Sequence, residues 1–387
     1  MKKLGIYIHF PFCSQKCAYC NFYSLDNKPE LISRWIQAVI QEIEIFSDYL
    51  QQHQVETIYI GGGSPNLIPP EGLNEIISVL HKYINFNGVR EFTIELNPSN
   101  WGEDLIVTLE KTEINRVSIG GQAFQEHLLD VLGRQHSPND INEILNKLCK
   151  TKINHLSLDL IFGIPGQTFT DWKDSLAQSL EHEVDHLSLY NLHYADGTPL
   201  NVSIQKGEYS PLSEEKEWEM YKFAHDYLDQ NGFNHYEISN WAKPGCKSRH
   251  NSSYWTGQSY IGFGPGAHSY DGTHRKWNQE DLVGYIENLE DGKQPPSELE
   301  KITPPKARLE KLFLSLRTSE GLEYTEIEKY FSITKNKIQS LIKAKLSEFI
   351  EEEMIVLATN SVKLTLSGWF ASNEIITELA NLLEQNK

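Results

Sequence analysis

The stretch Leu4-Gly-Ile-Tyr7-Ile-His9-Phe-Pro-Phe-Cys13-Ser-Gln-Lys-Cys17-Ala-Tyr19-Cys20 joins a strand signal to a metal-ligand signal. Leu4 to Phe10 is a short apolar run of the kind that forms a buried strand. Three thiols then follow within eight residues, at spacings of four and three, on a loop leaving the C-terminal end of that strand. They can converge on one metal centre. A zinc ion would want a fourth ligand, and the candidates His9 and Cys246 lack zinc-finger spacing. Iron-sulfur clusters are held mainly by cysteine thiolates, so three of them leave one iron open to a small-molecule ligand. Packing alone explains a single buried cysteine far better than three in this pattern.

Working outward, β-branched runs recur at Thr57 to Ile60, Glu91 to Glu95, Arg116 to Gly120, His155 to Ile161 and His186 to Tyr190. Helix-like segments lie between them, such as Ile141, Ile144, Leu145 and Leu148 after the turn signal Ser137-Pro138-Asn139-Asp140. Strands alternating with helices predict an α/β fold with a parallel sheet. The residues of unusual chemistry fall at the C-terminal ends of the strands, where a barrel places its active site, so an incomplete parallel (βα) barrel is expected. From about Asn201 the alternation weakens. After Pro295-Pro296 and Pro304-Pro305 the composition turns to Lys/Glu-rich helices and an alternating stretch at Val362 to Leu366. The expected division is therefore 1–295 for the barrel and 296–387 for a small helical, winged-helix-like domain.

A length of 387 residues accommodates a barrel of about 250 residues plus a companion. The formal charge of -18, from 53 acidic against 35 basic residues, repels a phosphate backbone and argues against nucleic acid as a partner. No run approaches the ~20 apolar residues of a membrane span, so a soluble protein is expected. The opening MKKLGIYIHFPFC lacks a small-residue cleavage site and reads as mature sequence. Cys149 and Cys246 stand too far from the cluster to suggest a disulfide framework, which fits a reducing cytoplasm.

Other residues complete a candidate pocket. Gly61-Gly62-Gly63-Ser64 follows a strand, where glycines let a ligand approach backbone groups and Ser64 adds a hydroxyl. Glu95 ends the third strand, and a carboxylate aimed into a barrel mouth needs a partner such as a ribose or an ammonium group. Gln122, Arg134 and Asp159 continue the series. Taken singly, Arg134 reads as a solvated charge and Asp159 as a capping carboxylate.

CxxxCxxC after a first strand resembles the signature of the radical S-adenosylmethionine (SAM) superfamily, in which the open iron of a 4Fe-4S cluster binds the cofactor's amino and carboxylate groups. That resemblance places Tyr19 near the adenine and makes the glycine run similar to the loop holding the methionyl amino group. The whole pattern resembles the oxygen-independent coproporphyrinogen oxidase family and its relatives over nearly the full chain. It implies that Tyr7, Gly62, Gly63, Ser64, Glu95, Gln122, Arg134 and Asp159 contact SAM, and that Gly163, Pro165 and Gly166 shape a neighbouring turn. Gly121 departs from the pattern, since relatives commonly carry a bulkier apolar residue there.

Two absences separate the chain from the oxidase itself: Phe22 stands where that enzyme has a further cysteine, and only six residues precede Tyr7. His250-Asn251-Ser-Ser-Tyr254-Trp255 instead resembles the HNxxYW motif of the HemW-type haem chaperones. Neutral imidazole is a good haem-iron ligand and flanking aromatics suit a flat macrocycle, so His250 is the candidate iron ligand. From one histidine alone, a core residue bonded to Asn251 is the simpler reading. Lys311 to Arg317, Gly321-Leu322 and Leu364 to Gly368 resemble the same group. The resemblance implies haem as cargo and apo-haem acceptor proteins as partners. An electron donor, a homodimer covering the cluster loop and peripheral membrane docking stay open, as does a radical enzyme acting on an organic substrate. His268 and Cys246 have no assigned role.

Overall fold

All six expected strands form in the computed structural model, which describes residues 1–26, 28–99 and 101–386. They are β1 (Lys2–Phe10), β2 (His53–Gly62), β3 (Glu91–Leu96), β4 (Arg116–Gln122), β5 (His155–Phe162) and β6 (His186–Asn191). They lie side by side in sequence order, all parallel. Crossover helices α1 (Ile32–Ile45), α2 (Pro70–Tyr83), α3 (Glu103–Lys111), α4 (Pro138–Leu148) and α5 (Phe169–Ser179) join them. This is the expected α/β half-barrel.

Successive strand side chains point to opposite faces. On one face Leu4, Ile6, Ile8 and Phe10 of β1, Phe92, Ile94 and Leu96 of β3, and Leu156, Leu158 and Leu160 of β5 pack against the helices in one core. Phe10, for example, meets Trp35 of α1 edge-on, with ring centroids 5.0 Å apart. The intervening positions form the other face and are polar. The register pairs Tyr7 with Tyr59, Glu95 with Ser118 and Asp159 with Ser188. The concave side of the sheet is thus lined with hydroxyls and carboxyls.

Helix α4 shows how local sequence fixes these crossovers. Ser137 accepts from the Asp140 N–H, the Asp140 carboxylate accepts from the Ser137 N–H, and Pro138 occupies the first turn. Ile141, Ile144, Leu145 and Leu148 then face the core. Ser137→Ala is expected to cost about 1 kcal/mol, measured as a lower urea midpoint with the unfolding slope unchanged.

The sheet extends beyond the six strands at both edges. Next to β6 lie β8 (Asn240–Ala242) and then β7 (Asn234–Glu237), antiparallel. Next to β1 lies β9 (Tyr260–Phe263), parallel, followed by antiparallel β10 (His268–Tyr270), β11 (His274–Asn278) and β12 (Ser297–Lys301). The last of these strands pairs with the large sheet although it follows residue 296. Beyond it, helices Pro304–Leu316, Tyr324–Phe331, Lys335–Lys345 and Ser372–Gln385 surround a three-stranded antiparallel sheet of Leu322–Glu323, Ser361–Leu364 and Ile355–Leu357. They share a second core containing Leu316, Ile327, Phe331, Ile338, Ile342, Ile375 and Leu379. No described helix is long and apolar enough to cross a membrane.

Candidate functional site

The loop after β1 is closed by its own backbone. Phe12–Cys13 pairs in parallel with Leu25–Asp26, and Lys16 Nζ donates to the Phe22 carbonyl at 3.1 Å. The loop's midpoint is tied to the opposite rim: the Ala18 N–H donates to Leu132 O at 2.9 Å, and its carbonyl accepts from the Leu200 N–H at 2.8 Å. Cys13, Cys17 and Cys20 are free, half-buried thiols that border a cleft of about 380 Å³ over the C-terminal ends of the parallel strands. Among the described residues, the only three His, Cys or acidic donors all within 4.8 Å of one another lie elsewhere. At least one pair of the three sulfurs therefore lies more than 4.8 Å apart, wider than two thiolates on one zinc with its Zn–S bonds of about 2.3 Å.

The glycine run lies directly against this loop. The Gly63 N–H donates to Phe10 O and the Ser64 N–H to Phe12 O, both at 2.7 Å. A Cβ on Gly63 would collide with the Phe12 carbonyl, and Gly62 holds φ +114°, open mainly to glycine. Gly63→Val is accordingly expected to displace the cysteine loop, lowering the iron content of reconstituted protein while α-helical circular dichroism is retained.

Two carboxyl groups form the cleft floor. Glu95 accepts from the Tyr59 hydroxyl at 2.6 Å and the Gly62 N–H at 3.0 Å, and burial raises its pKa. Asp159 accepts from the Ser118 hydroxyl at 3.1 Å; burial, with the Glu95 charge adding to it, pushes it up to about 7. On the facing wall Arg134 donates to Gly120 O at 2.5 Å, to Asn97 Oδ1 at 3.3 Å and to Cys17 Sγ at 3.4 Å. Gln122 sits at a bulge in β4 with φ +68°, a strained conformation for a residue with a side chain. Tyr19, Gly62, Gly63, Ser64, Glu95, Gln122, Arg134 and Asp159 all line this one cleft. Gly163 and Gly166 turn the chain beside it at φ +81° and +82°. A Cβ on Gly121 would meet Leu158 Cδ1 at 2.8 Å and Ile141 Cδ1 at 3.4 Å.

Tyr7 and His250 do not line the cleft. The Tyr7 hydroxyl lies 2.9 Å from His9 Nδ1, and His9 Nε2 lies 2.8 Å from the Tyr23 carbonyl oxygen. His250 lies in helix α6 (Arg249–Thr256), whose first N–H groups are capped by the Glu91 carboxylate. Only 1% of His250 is exposed. Its Nδ1 is 2.9 Å from Thr57 Oγ1 and its Nε2 2.8 Å from the Tyr254 hydroxyl, so both ring nitrogens are engaged within the protein. Burial lowers its pKa to about 3 and keeps the ring neutral. The ring stacks on Tyr59 at 5.0 Å, directly behind the phenol that holds Glu95. Phe22, by contrast, is 64% exposed at the cleft mouth.

Residues 7–178 match the Radical SAM superfamily. A Synechocystis protein named heme chaperone HemW is 33% identical, with 98% of this chain and 97% of that protein aligned. Heme chaperone HemW of Bacillus subtilis is 31% identical over 95% and 97% of the two chains. The chain belongs to the HemW family of radical SAM proteins. The solved structure of Escherichia coli coproporphyrinogen III oxidase, a radical SAM enzyme, shares the fold with a TM-score of 0.83 over 99% of this chain and 90% of that one, at 19% identity.

Membership of the HemW family, within the radical SAM superfamily, implies a 4Fe-4S cluster and SAM, and the cleft fits both. Its three free thiols border it together. Its two floor carboxyls are bonded only to hydroxyl and backbone groups, so a ligand bringing ammonium, sulfonium and ribose hydroxyl groups would meet them. Sequence reasoning did not single out Tyr59, Asn97, Ser118, Tyr190 or His193, which support or line the same cleft. The signal for Tyr59 and Ser118 was present as polar residues alternating with apolar ones along β2 and β4.

Proposed function

We propose that this chain carries haem and hands it to apo-haem proteins, with a 4Fe-4S cluster and SAM held in the cleft. What carries this reading is the likeness, over nearly the full length, to several proteins named heme chaperone HemW. Cys13, Cys17 and Cys20 hold the cluster. Tyr19, Gly62, Gly63, Ser64, Glu95, Gln122, Arg134 and Asp159 hold SAM, and Tyr7 lies behind them with its ring 6.1 Å from that of Tyr59, which holds Glu95. The cluster supplies one open iron and the means to pass an electron. Within the cleft, Tyr59 and the Gly62 N–H orient the Glu95 carboxylate toward the ligand, while Arg134 bridges the cysteine loop and β4. Cluster, SAM and His250 fall within residues 1–295, and the second unit begins beyond β12, at the helix Pro304–Leu316. The five free thiols suit the reducing cytoplasm, where we place the protein.

His250 remains the assigned haem ligand, and an iron reaches it only when Nε2 gives up the Tyr254 hydroxyl. Anaerobic titration of cluster-loaded protein with haem, wild type against His250→Ala, tests this. Saturable binding and transfer to an apo-haem acceptor by the wild type, lost in the variant with the cluster absorbance intact, is the expected result. Unchanged transfer by the variant would return His250 to the core. Absence of specific haem binding by the wild type would reject the carrier reading altogether. The intact cofactor cleft favours one alternative, a radical enzyme, which anaerobic conversion of coproporphyrinogen III would establish.

A further inference from the structure

At the opposite end of the sheet from the cleft, three side chains of metal-ligand type meet. His155 is the first residue of β5, Asp185 immediately precedes β6, and Cys246 lies on the turn between β8 and helix α6. One donor atom from each comes within 4.8 Å of the other two. His155 Nδ1 and Asp185 Oδ2 are already 2.6 Å apart, and the second Asp185 oxygen is buried without a hydrogen-bond partner.

The turn carrying Cys246 is fixed rather than loose. The Lys243 N–H donates to Asp185 O at 2.9 Å, the Cys246 N–H to Lys243 O at 3.0 Å, and Arg116 Nη1 to Cys246 O at 3.0 Å. The thiol is thereby presented to the His–Asp pair by backbone bonds on both sides. We propose that His155, Asp185 and Cys246 form a second metal site, for a borderline divalent transition ion of the zinc or cobalt class. An imidazole, a carboxylate and a thiolate are the donors such ions prefer, and three protein ligands leave the fourth tetrahedral position to water. Thiolate and carboxylate together balance a divalent charge. Closing the triad onto one ion requires movements of about 1 Å, given metal–ligand distances of about 2.0–2.3 Å. The ion would pin the segment leading into α6 to the base of β5 and β6.

Cobalt(II) is the probe, added anaerobically to protein whose 4Fe-4S cluster has already been loaded, so that Cys13, Cys17 and Cys20 are occupied. The expected result is one cobalt per chain, with thiolate-to-cobalt charge-transfer absorption and tetrahedral d–d bands. Cys246→Ser should remove the charge-transfer band, and Asp185→Asn should weaken binding at least tenfold. Should Asp185→Asn disturb folding, His155→Gln serves as the second variant, with cluster absorbance and circular dichroism checking the fold. The Cys13→Ser, Cys17→Ser, Cys20→Ser triple variant should bind cobalt like the wild type. No cobalt bound by cluster-loaded wild type, or a charge-transfer band unchanged in Cys246→Ser, would overturn the assignment.

Discussion

Cys17→Ser is expected to yield a folded protein that holds no intact cluster. The loop's position depends on backbone bonds from Ala18 to Leu132 and Leu200, which this substitution leaves in place, so circular dichroism and the unfolding midpoint should change little. Iron and acid-labile sulfide should fall to background after reconstitution, along with the cluster's visible absorbance. Losing the iron should weaken SAM binding by more than the roughly 10–100-fold that a lost outer contact of a metal site costs. Equilibrium dialysis with labelled SAM, wild type against variant, reads this directly. Full cluster retention by Cys17→Ser would show that the three thiols do not act as one ligand set.

The second large effect has opposite signs for stability and binding. Asp159 has its pKa lifted by burial from an ordinary 3.8 to about 7. A carboxyl raised on folding favours the native state only while protonated. Its contribution is complete below about pH 4, declines as the pH rises toward 7, and is absent above that. Ionised in the cofactor-free cleft, it costs about 4 kcal/mol as a ceiling, reduced to about 2 kcal/mol by the water the open cleft admits. Asp159→Asn should therefore melt higher than wild type at about pH 8 without cofactor, the advantage shrinking toward about pH 5. The same variant should bind SAM more weakly, by about 1.5–3 kcal/mol for a lost bond to a charged partner. A melting difference that does not change with pH would mean that the carboxyl is not buried as described.

The six parallel strands were legible because each is a β-branched run interrupted by helical periodicity, a pattern that fixes a parallel sheet almost without alternatives. Cys13, Cys17 and Cys20 were legible for a different reason, since their ligand spacing is local in sequence. Strands β7 to β12 were not. They are three to five residues long, mostly antiparallel, and rich in His, Asn and aromatic residues, so no periodicity accumulates. His155, Asp185 and Cys246 were equally invisible as a group, because only the sheet brings together residues 30 and 61 positions apart. His250 shows a subtler limit. Its motif resembles that of a haem-binding group, but the sequence carried no sign that Thr57 and Tyr254 occupy both nitrogens, because one partner lies 193 residues away.

The stack of His250 on Tyr59, with Tyr59 holding Glu95, makes the two proposed binding events thermodynamically inseparable. An iron that drew the imidazole away from Tyr254 would also shift the ring against which the Tyr59 phenol rests, and with it the carboxylate offered to SAM. Whatever factor haem imposes on SAM affinity through this stack, SAM must impose on haem affinity. Loading and release of the cargo would then follow the cellular supply of SAM, even in a chain that never cleaves it.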